Sequence, residues 1–381
     1  MHKIVILGAG YAGMITAATL VGRTKKRADV QITVVNATER FTERLRLHQL
    51  ASGQELAQLS IPEMLPEVEF IQGWVTAVDP DARTVRVDDE RVVEYDTLVY
   101  ALGGVADTHG VPGVDDHAYT LDSAHNAELL AHRLATMTTG TVAVIGSGLT
   151  GLEAAAELAE RHPELGVVLL GREEPGATMA AKAKAHTDAA LARLGVTVRS
   201  GVEVVKVLPD GVALAGGETV DADVVLWTSG VRISVLAKGV EVDEHGRIVT
   251  DDALRSVSHP NVYAVGDVAA IRQRYGLMHG TCQSGMPTGA HAAMSIVREL
   301  NGKAPKAFRF GYLHMPVSLG RNDAVVQFTR PDSSPRRMAL TGRRAVWYKE
   351  TVSGAPWPTY GRIKKFPAMG SVWTHGGRYT R

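Results

Sequence analysis

The sequence predicts an α/β fold in which one strand–turn–helix–strand unit occurs twice, with a smaller C-terminal segment after both. Three observations carry this. A glycine pattern repeats, with GAGYAGMITAATL beginning at Gly8 and GSGLTGLEAAAEL at Gly146. Each copy follows a β-branched run, KIVIL or TVAVI, of the kind that forms a buried parallel strand. The length of 381 residues is two to three domains' worth at roughly 150 residues each.

Taken in order, KIVIL leads into Gly8, Gly10 and Gly13 and a small-residue helix, and VQITVVN closes the unit at Asn36. TVAVI leads into Gly146, Gly148 and Gly151, and GVVLLG closes the second unit at Gly171. Ala17, Ala18 and Leu20 recur as Ala155, Ala156 and Leu158. The glycines have distinct physical tasks. The first makes the tight turn, the second lets backbone approach a pyrophosphate, and the third lets helix and strand pack closely, while the helix N-terminus offers amides to phosphate. Two such turns imply two dinucleotides, and a flavin with a nicotinamide is the chemically sensible pairing, since one hands hydride to the other.

Composition narrows the function classes. Hydrophobic residues at 45% and charged residues at 22% describe a globular chain and exclude a disordered tail or a collagen-like fibre. The single cysteine, Cys282, excludes an internal disulfide and a cysteine-only metal cluster, and the histidines lack metal-ligand spacing. No apolar run approaches the 18 or so residues of a membrane span. The N-terminus runs straight into a strand, so a cytoplasmic, reducing location is expected. No Ser-His-Asp arrangement, phosphate-transfer motif or nucleic-acid stripe is evident. The zero net charge hides an asymmetry: Arg336 to Arg381 hold ten Lys or Arg against one acid, Glu350, leaving −9 on the preceding 335 residues. Such an end is a solvated surface or, with Trp347, Trp357 and Trp373, a peripheral contact with anionic membrane.

Three further segments extend the pattern: YDTLVYALGG from Tyr95 to Gly104, LWTSGV from Leu226 to Val231, and HPNVYAVGDVA from His259 to Ala269. With the two glycine motifs, they resemble the two-dinucleotide pyridine nucleotide–disulfide oxidoreductase superfamily. The first two resemble its crossovers between flavin and nicotinamide domains, and the third its last flavin motif. Glu153 gives the second turn the form GxGxxGxE, and SLGRNDAVVQF from Ser318 to Phe328 is similar to a segment of type II NADH dehydrogenases. That subfamily's quinone-site signature, Ala-Gln-x-Ala-x-Gln-Gln, is reduced here to the run Cys282 to Thr288 with only Gln283 retained. Its C-terminal amphipathic helices are not expected either, because Gly354, Pro356, Pro358 and Gly361 interrupt the chain. Pro287 is expected to start or bend a helix.

The resemblance implies an FAD-binding domain from 1–110 and 248–310, an NAD(P)H-binding domain from 111–247, and a C-terminal domain from 311–381 that completes the active site or a dimer contact. The flavin residues would be Gly8, Gly10, Gly13, Asn36, Arg44, Gly103, Asp267 and Gln283, and the nicotinamide residues Gly146, Gly148, Gly151, Arg172 and Gly230. Asn36 stands where an acid normally binds ribose, and is equally a turn residue. Arg44 either faces the flavin or belongs to an alternation that buries leucines. Glu153 would position the nicotinamide, against the alternative of an acid favoured by the helix dipole. Gly171-Arg172 leans toward a 2′-phosphate, with Glu173 and Glu174 opposing it. The expected reaction passes hydride from NAD(P)H to FAD and electrons onward to a quinone-like acceptor. A reductase of an iron–sulfur protein or a specialised organic substrate, and a flavoprotein sensor that does not turn over, remain as alternatives.

Overall fold

The structure, a computed structural model, describes residues 1–108, 110–233 and 236–380. Arg381, counted in the basic end, lies outside them. The first repeat builds a five-stranded parallel sheet in the order Val262–Ala264, Thr97–Tyr100, His2–Leu7, Val30–Asn36 and Glu69–Gln72. His2–Leu7 sits at its centre, which is why Ile4, Val5, Ile6 and Leu7 are all buried. An antiparallel meander, Val75–Asp79, Thr84–Val87 and Arg91–Glu94, interrupts the parallel strands.

The second repeat uses the same plan. Thr197–Ser200, Gly166–Gly171, Thr141–Ile145, Val224–Trp227 and Ala118–Thr120 form a second five-stranded parallel sheet, again interrupted by an antiparallel meander, Val204–Leu208, Gly211–Leu214 and Thr219–Asp221. The outermost strands differ in origin. In the first sheet that strand returns from beyond the second repeat, and in the second sheet it precedes the glycine turn. The α/β class and the pair of Rossmann-like parallel sheets follow from these registers. The two connections between sheets touch each other, Val105–Ala106 pairing antiparallel with Val231–Arg232.

Helix Tyr11–Thr24 packs on helix Cys282–Leu300, and this approach requires Gly289: a Cβ there would overlap the Ala12 carbonyl oxygen. Of the two expectations for Pro287, starting a helix or bending one, the first does not hold, since Pro287 lies inside the helix. The helix begins five residues earlier, where Thr281 and Ser284 form a capping box.

The C-terminal segment is a three-stranded antiparallel sheet, His314–Ser318, Ala324–Thr329 and Pro335–Thr341, followed by helices Arg343–Gly354 and Pro356–Lys365. The expected interruption is therefore milder than the glycines and prolines predict. Ala355 between the helices keeps helical dihedrals, φ −68° and ψ −34°, and Pro356 takes the first helical position, where its missing N–H has no partner to lose. The second helix folds back on Tyr11–Thr24, with Tyr360 and Ile363 buried. Tyr11, Phe41, Trp357 and Tyr360 form an aromatic cluster at centroid distances of 5.2, 5.4 and 5.8 Å about Phe41. The C-terminal sheet docks on the second repeat through Asp323, whose carboxylate accepts from His186 Nε2 and Arg193 Nη2, each at 2.8 Å.

Candidate active site

Both glycine turns have the geometry their sequence requires. A Cβ at Gly13 would overlap the Gly8 carbonyl oxygen, and one at Gly151 would overlap that of Gly146. Gly8 and Gly146 hold φ of 91° and 111°, in the left-handed half of the map. Gly10 and Gly148, the helix caps, face open space within 4 Å, as a seat for a phosphate demands.

The first turn opens on a cleft of about 470 Å³. Gly8, Gly10, Asn36, Arg44, Gly103 and Asp267 line it together, whereas Gly13 and Gln283 do not. Gly13 serves the packing beneath the turn. Gln283 faces the C-terminal sheet, its Nε2 donating to the His314 carbonyl at 3.5 Å and its Oε1 accepting from Leu313 N–H at 3.4 Å. Asn36 Oδ1 accepts from Ala9 N–H at 2.9 Å, bracing the glycine turn from the strand end.

Arg44 lines the cleft and donates through Nη1 to the Gly104 carbonyl at 2.8 Å; of the two leucines in its alternation, Leu47 is buried and Leu45 half-buried. The Asp267 carboxylate makes no hydrogen bond to a described residue. Burial pushes its carboxyl up, partly offset by Arg44. Gly280 leaves room for it, since a Cβ there would overlap Asp267 Oδ1. Cys282 also lines the cleft, with a thiol pushed to about 12 by burial and the nearby Asp267, a poor nucleophile.

Around the second turn, Gly230 has φ of 78°, and a Cβ on it would lie 3.0 Å from Asp107. A Cβ at Gly171 would overlap Ser147 Oγ, so no acid fits at this strand end. The Arg172 side chain is 73% exposed, with Nη1 3.8 Å from Glu203 Oε1.

Glu153 points away from solvent into a junction of three parts of the chain. Its Oε1 lies 2.7 Å from Lys349 Nζ and accepts from Ser318 N–H at 2.9 Å, and its Oε2 lies 3.9 Å from His48 Nδ1. Burial raises its carboxyl, but Lys349 and His48 outweigh this and the net shift is downward. Buried His48 is held down to about 4. One turn on, Glu157 is also buried and pushed up to about 7 by burial, against Gln54 and Arg321, which stabilise its charge. No group of three or more His, Cys, Asp or Glu suited to a metal exists among the described residues.

The pyridine nucleotide-disulphide oxidoreductase family matches residues 2–295. The chain belongs to that family. Among its oxidoreductase relatives, the NADH dehydrogenase-like protein of Mycobacterium tuberculosis is 31% identical, the match covering 93% of each chain. The type II NADH:quinone oxidoreductase of Staphylococcus aureus is 28% identical, covering 92% of this chain and 94% of the relative. In fold, the sulfide:quinone oxidoreductase of Aquifex aeolicus is similar at a TM-score of 0.78 and 20% identity, over 95% of this chain and 92% of that one. The similarity to type II NADH dehydrogenases read from the motifs therefore extends along nearly the whole chain.

For this pyridine nucleotide-disulphide oxidoreductase, sequence reasoning missed Lys349 and Trp74. Lys349 lies within WYKET, where its neighbours give no sign of a buried partner 196 positions earlier. Trp74 follows a strand-end glycine, and only the folded chain brings it to the cleft.

Proposed function

We propose that this oxidoreductase holds FAD in the cleft at the first glycine turn, takes reducing equivalents from NAD(P)H at the second, and passes electrons to a quinone or quinone-like acceptor. The observation that carries the reading is the cleft itself. A glycine turn with an open phosphate seat at Gly10 and a half-buried carboxylate without a hydrogen bond among the described residues, Asp267, share one cavity. These residues fit a flavin dinucleotide. Gly8 and Gly10 leave room for the pyrophosphate, Asn36 can accept from the adenosine ribose, and Asp267 offers an acceptor to the ribityl hydroxyls. When bound, the flavin supplies the redox chemistry, accepting a hydride equivalent from the nicotinamide and yielding two electrons to the acceptor.

The chain's own part is positioning. Gly146, Gly148 and Gly151 seat the coenzyme pyrophosphate, Gly230 turns the crossover beside it, and Glu153 holds the coenzyme helix against Lys349 and the C-terminal sheet. The split FAD domain, the NAD(P)H domain inserted in it and the C-terminal domain, with the boundaries 1–110 with 248–310, 111–247, and 311–381, are the units this reading uses. The acceptor assignment rests on the Staphylococcus aureus relative, whose name gives quinone as its substrate. No helix among the described residues is long and apolar enough to cross a membrane. Of the three tryptophans expected at the basic end, Trp357 and Trp373 instead pack against the core, and exposed Trp347, with Phe366 and Val372, is what supports a peripheral contact with anionic lipid.

The test is anaerobic titration of the purified yellow protein with NADH and NADPH, then turnover with short-chain quinones, ferricyanide and ferredoxin. Rapid quinone reduction is the expected result. A colourless protein that takes up no FAD overturns the cofactor reading. Rapid ferredoxin reduction with negligible quinone turnover overturns the acceptor. Asp267→Ala should lower flavin occupancy without abolishing the fold.

A further inference from the structure

Trp74 lines the flavin cleft, yet is 70% exposed. A lone exposed apolar residue is ordinary. This one is not loose. Its backbone N–H donates to Asp88 Oδ1 at 2.8 Å, and its carbonyl accepts from Asp88 N–H at 2.9 Å. Asp88 and Asp89 hold φ of 50° and 60° in the hairpin that makes this clamp, a region non-glycine residues rarely occupy. The preceding Gly73 has φ of 156° and no room for a side chain, since a Cβ would lie 2.5 Å from Val87 Cγ1. Gly73 N–H donates to the Asn36 carbonyl at 3.0 Å. The indole is thus carried on a fixed backbone one residue past the glycine whose amide is bonded to the strand end that braces the glycine turn.

The order of a dinucleotide along such a unit is set by its turn. The pyrophosphate lies at the helix N-terminus, the ribose at the end of the second strand, and the base beyond it. The strand end here is Asn36, and the segment of the cleft wall tied to it through the Gly73 amide carries Trp74. Arg40, the neighbouring cation of the wall, is already paired with Glu128 at 2.9 Å. We propose that Trp74 is the stacking platform for the adenine ring of the dinucleotide in this cleft, an inference that rests on the reading of the cleft as the FAD site. Such a platform binds the adenosine half alone, so it selects FAD over FMN and leaves the isoalloxazine end untouched.

The test removes flavin from the full-length protein and measures rebinding of FAD and FMN to the parent, Trp74→Ala and Trp74→Phe, with thermal unfolding of each apoprotein. Base–aromatic stacking predicts that Trp74→Ala weakens FAD by about 5- to 150-fold. Trp74→Phe should keep most of the affinity, and neither change should alter FMN binding or apoprotein melting. Unchanged FAD affinity in Trp74→Ala overturns the proposal. So does an equal loss in both variants, or a parallel loss of FMN, either of which marks a structural role. Failure of the parent to bind FAD is a different result, which overturns the reading of the cleft and the platform with it.

Discussion

Lys349 Nζ lies 2.7 Å from Glu153 Oε1, joining the helix after the C-terminal sheet to the helix of the second glycine turn. Lys349 is buried and Glu153 nearly so, and Ser318 N–H completes the carboxylate's shell. Removing one partner leaves an uncompensated charge. Lys349→Met should therefore lower unfolding stability by about 3–5 kcal/mol, and adding Glu153→Gln should recover much of the loss. Denaturant titration of the single and double variants checks this, and a single variant as stable as its parent would refute the pairing as a structural tie.

Glu157, one turn along the same helix, predicts a pH dependence of opposite sign to the usual carboxylate. Its folded pKa is raised to about 7 from the ordinary carboxylate value of 4.5, first by burial. The folded state therefore binds the extra proton. Its contribution is fully present below about pH 4.5, is lost as pH rises to about 7, and is constant above that, for a total near 3 kcal/mol at most. His48, depressed to about 4 by burial, acts in the other direction, its unfolded form binding protons between about pH 4 and 6.5. The informative quantity is thus the difference between Glu157→Gln and the parent. The variant should gain relative stability from pH 5 to pH 8, and an unchanged difference would be inconsistent with a raised Glu157.

The two glycine turns give a reciprocal pair of variants. A side chain at Gly13 or Gly151 drives into the carbonyl of Gly8 or Gly146 and pushes each helix from its strand. Gly151→Val should leave the protein yellow but slow its reduction by NAD(P)H at least tenfold, a barrier change of about 1.4 kcal/mol or more. Gly13→Val should deplete flavin instead. Stopped-flow reduction and flavin content of both variants decide the assignment, and the opposite pattern would exchange the two sites.

The glycine turns were legible in the sequence because their constraint is local and steric: the third glycine meets the carbonyl of the first, five residues away. The repeated parallel sheets followed from the same runs. Asn36 was half legible. Its type suits a turn or a ribose acceptor, and the fold uses its Oδ1 to hold Ala9 while leaving it on the cleft wall. The C-terminal helices were under-read, because a proline at a helix start loses nothing that a proline inside one would. Lys349 and Trp74 were invisible for a different reason. Each acts through neighbours assembled by tertiary packing, and no spacing in the chain encodes a partner reached only through the C-terminal sheet or a cleft wall.

The last prediction concerns the coenzyme. At the second strand end Gly171 cannot be replaced by an acid without overlap with Ser147, and Glu174 is drawn 3.0 Å from Lys184 Nζ. Arg172 stays exposed beside the turn, with a 3.8 Å approach to Glu203. A guanidinium so placed favours a 2′-phosphate over a 2′-hydroxyl, and a hydrogen bond to a charged group contributes about 1.5–3 kcal/mol. Arg172→Ala should thus weaken NADPH by about tenfold or more and NADH by less than about twofold, read as KM and as the rate of flavin reduction at low coenzyme. Glu203→Gln, which frees the guanidinium, should shift the preference further toward NADPH. Equal losses with both coenzymes in Arg172→Ala would show that the guanidinium reads no phosphate and that the exposed Glu173 is the better candidate for the ribose contact.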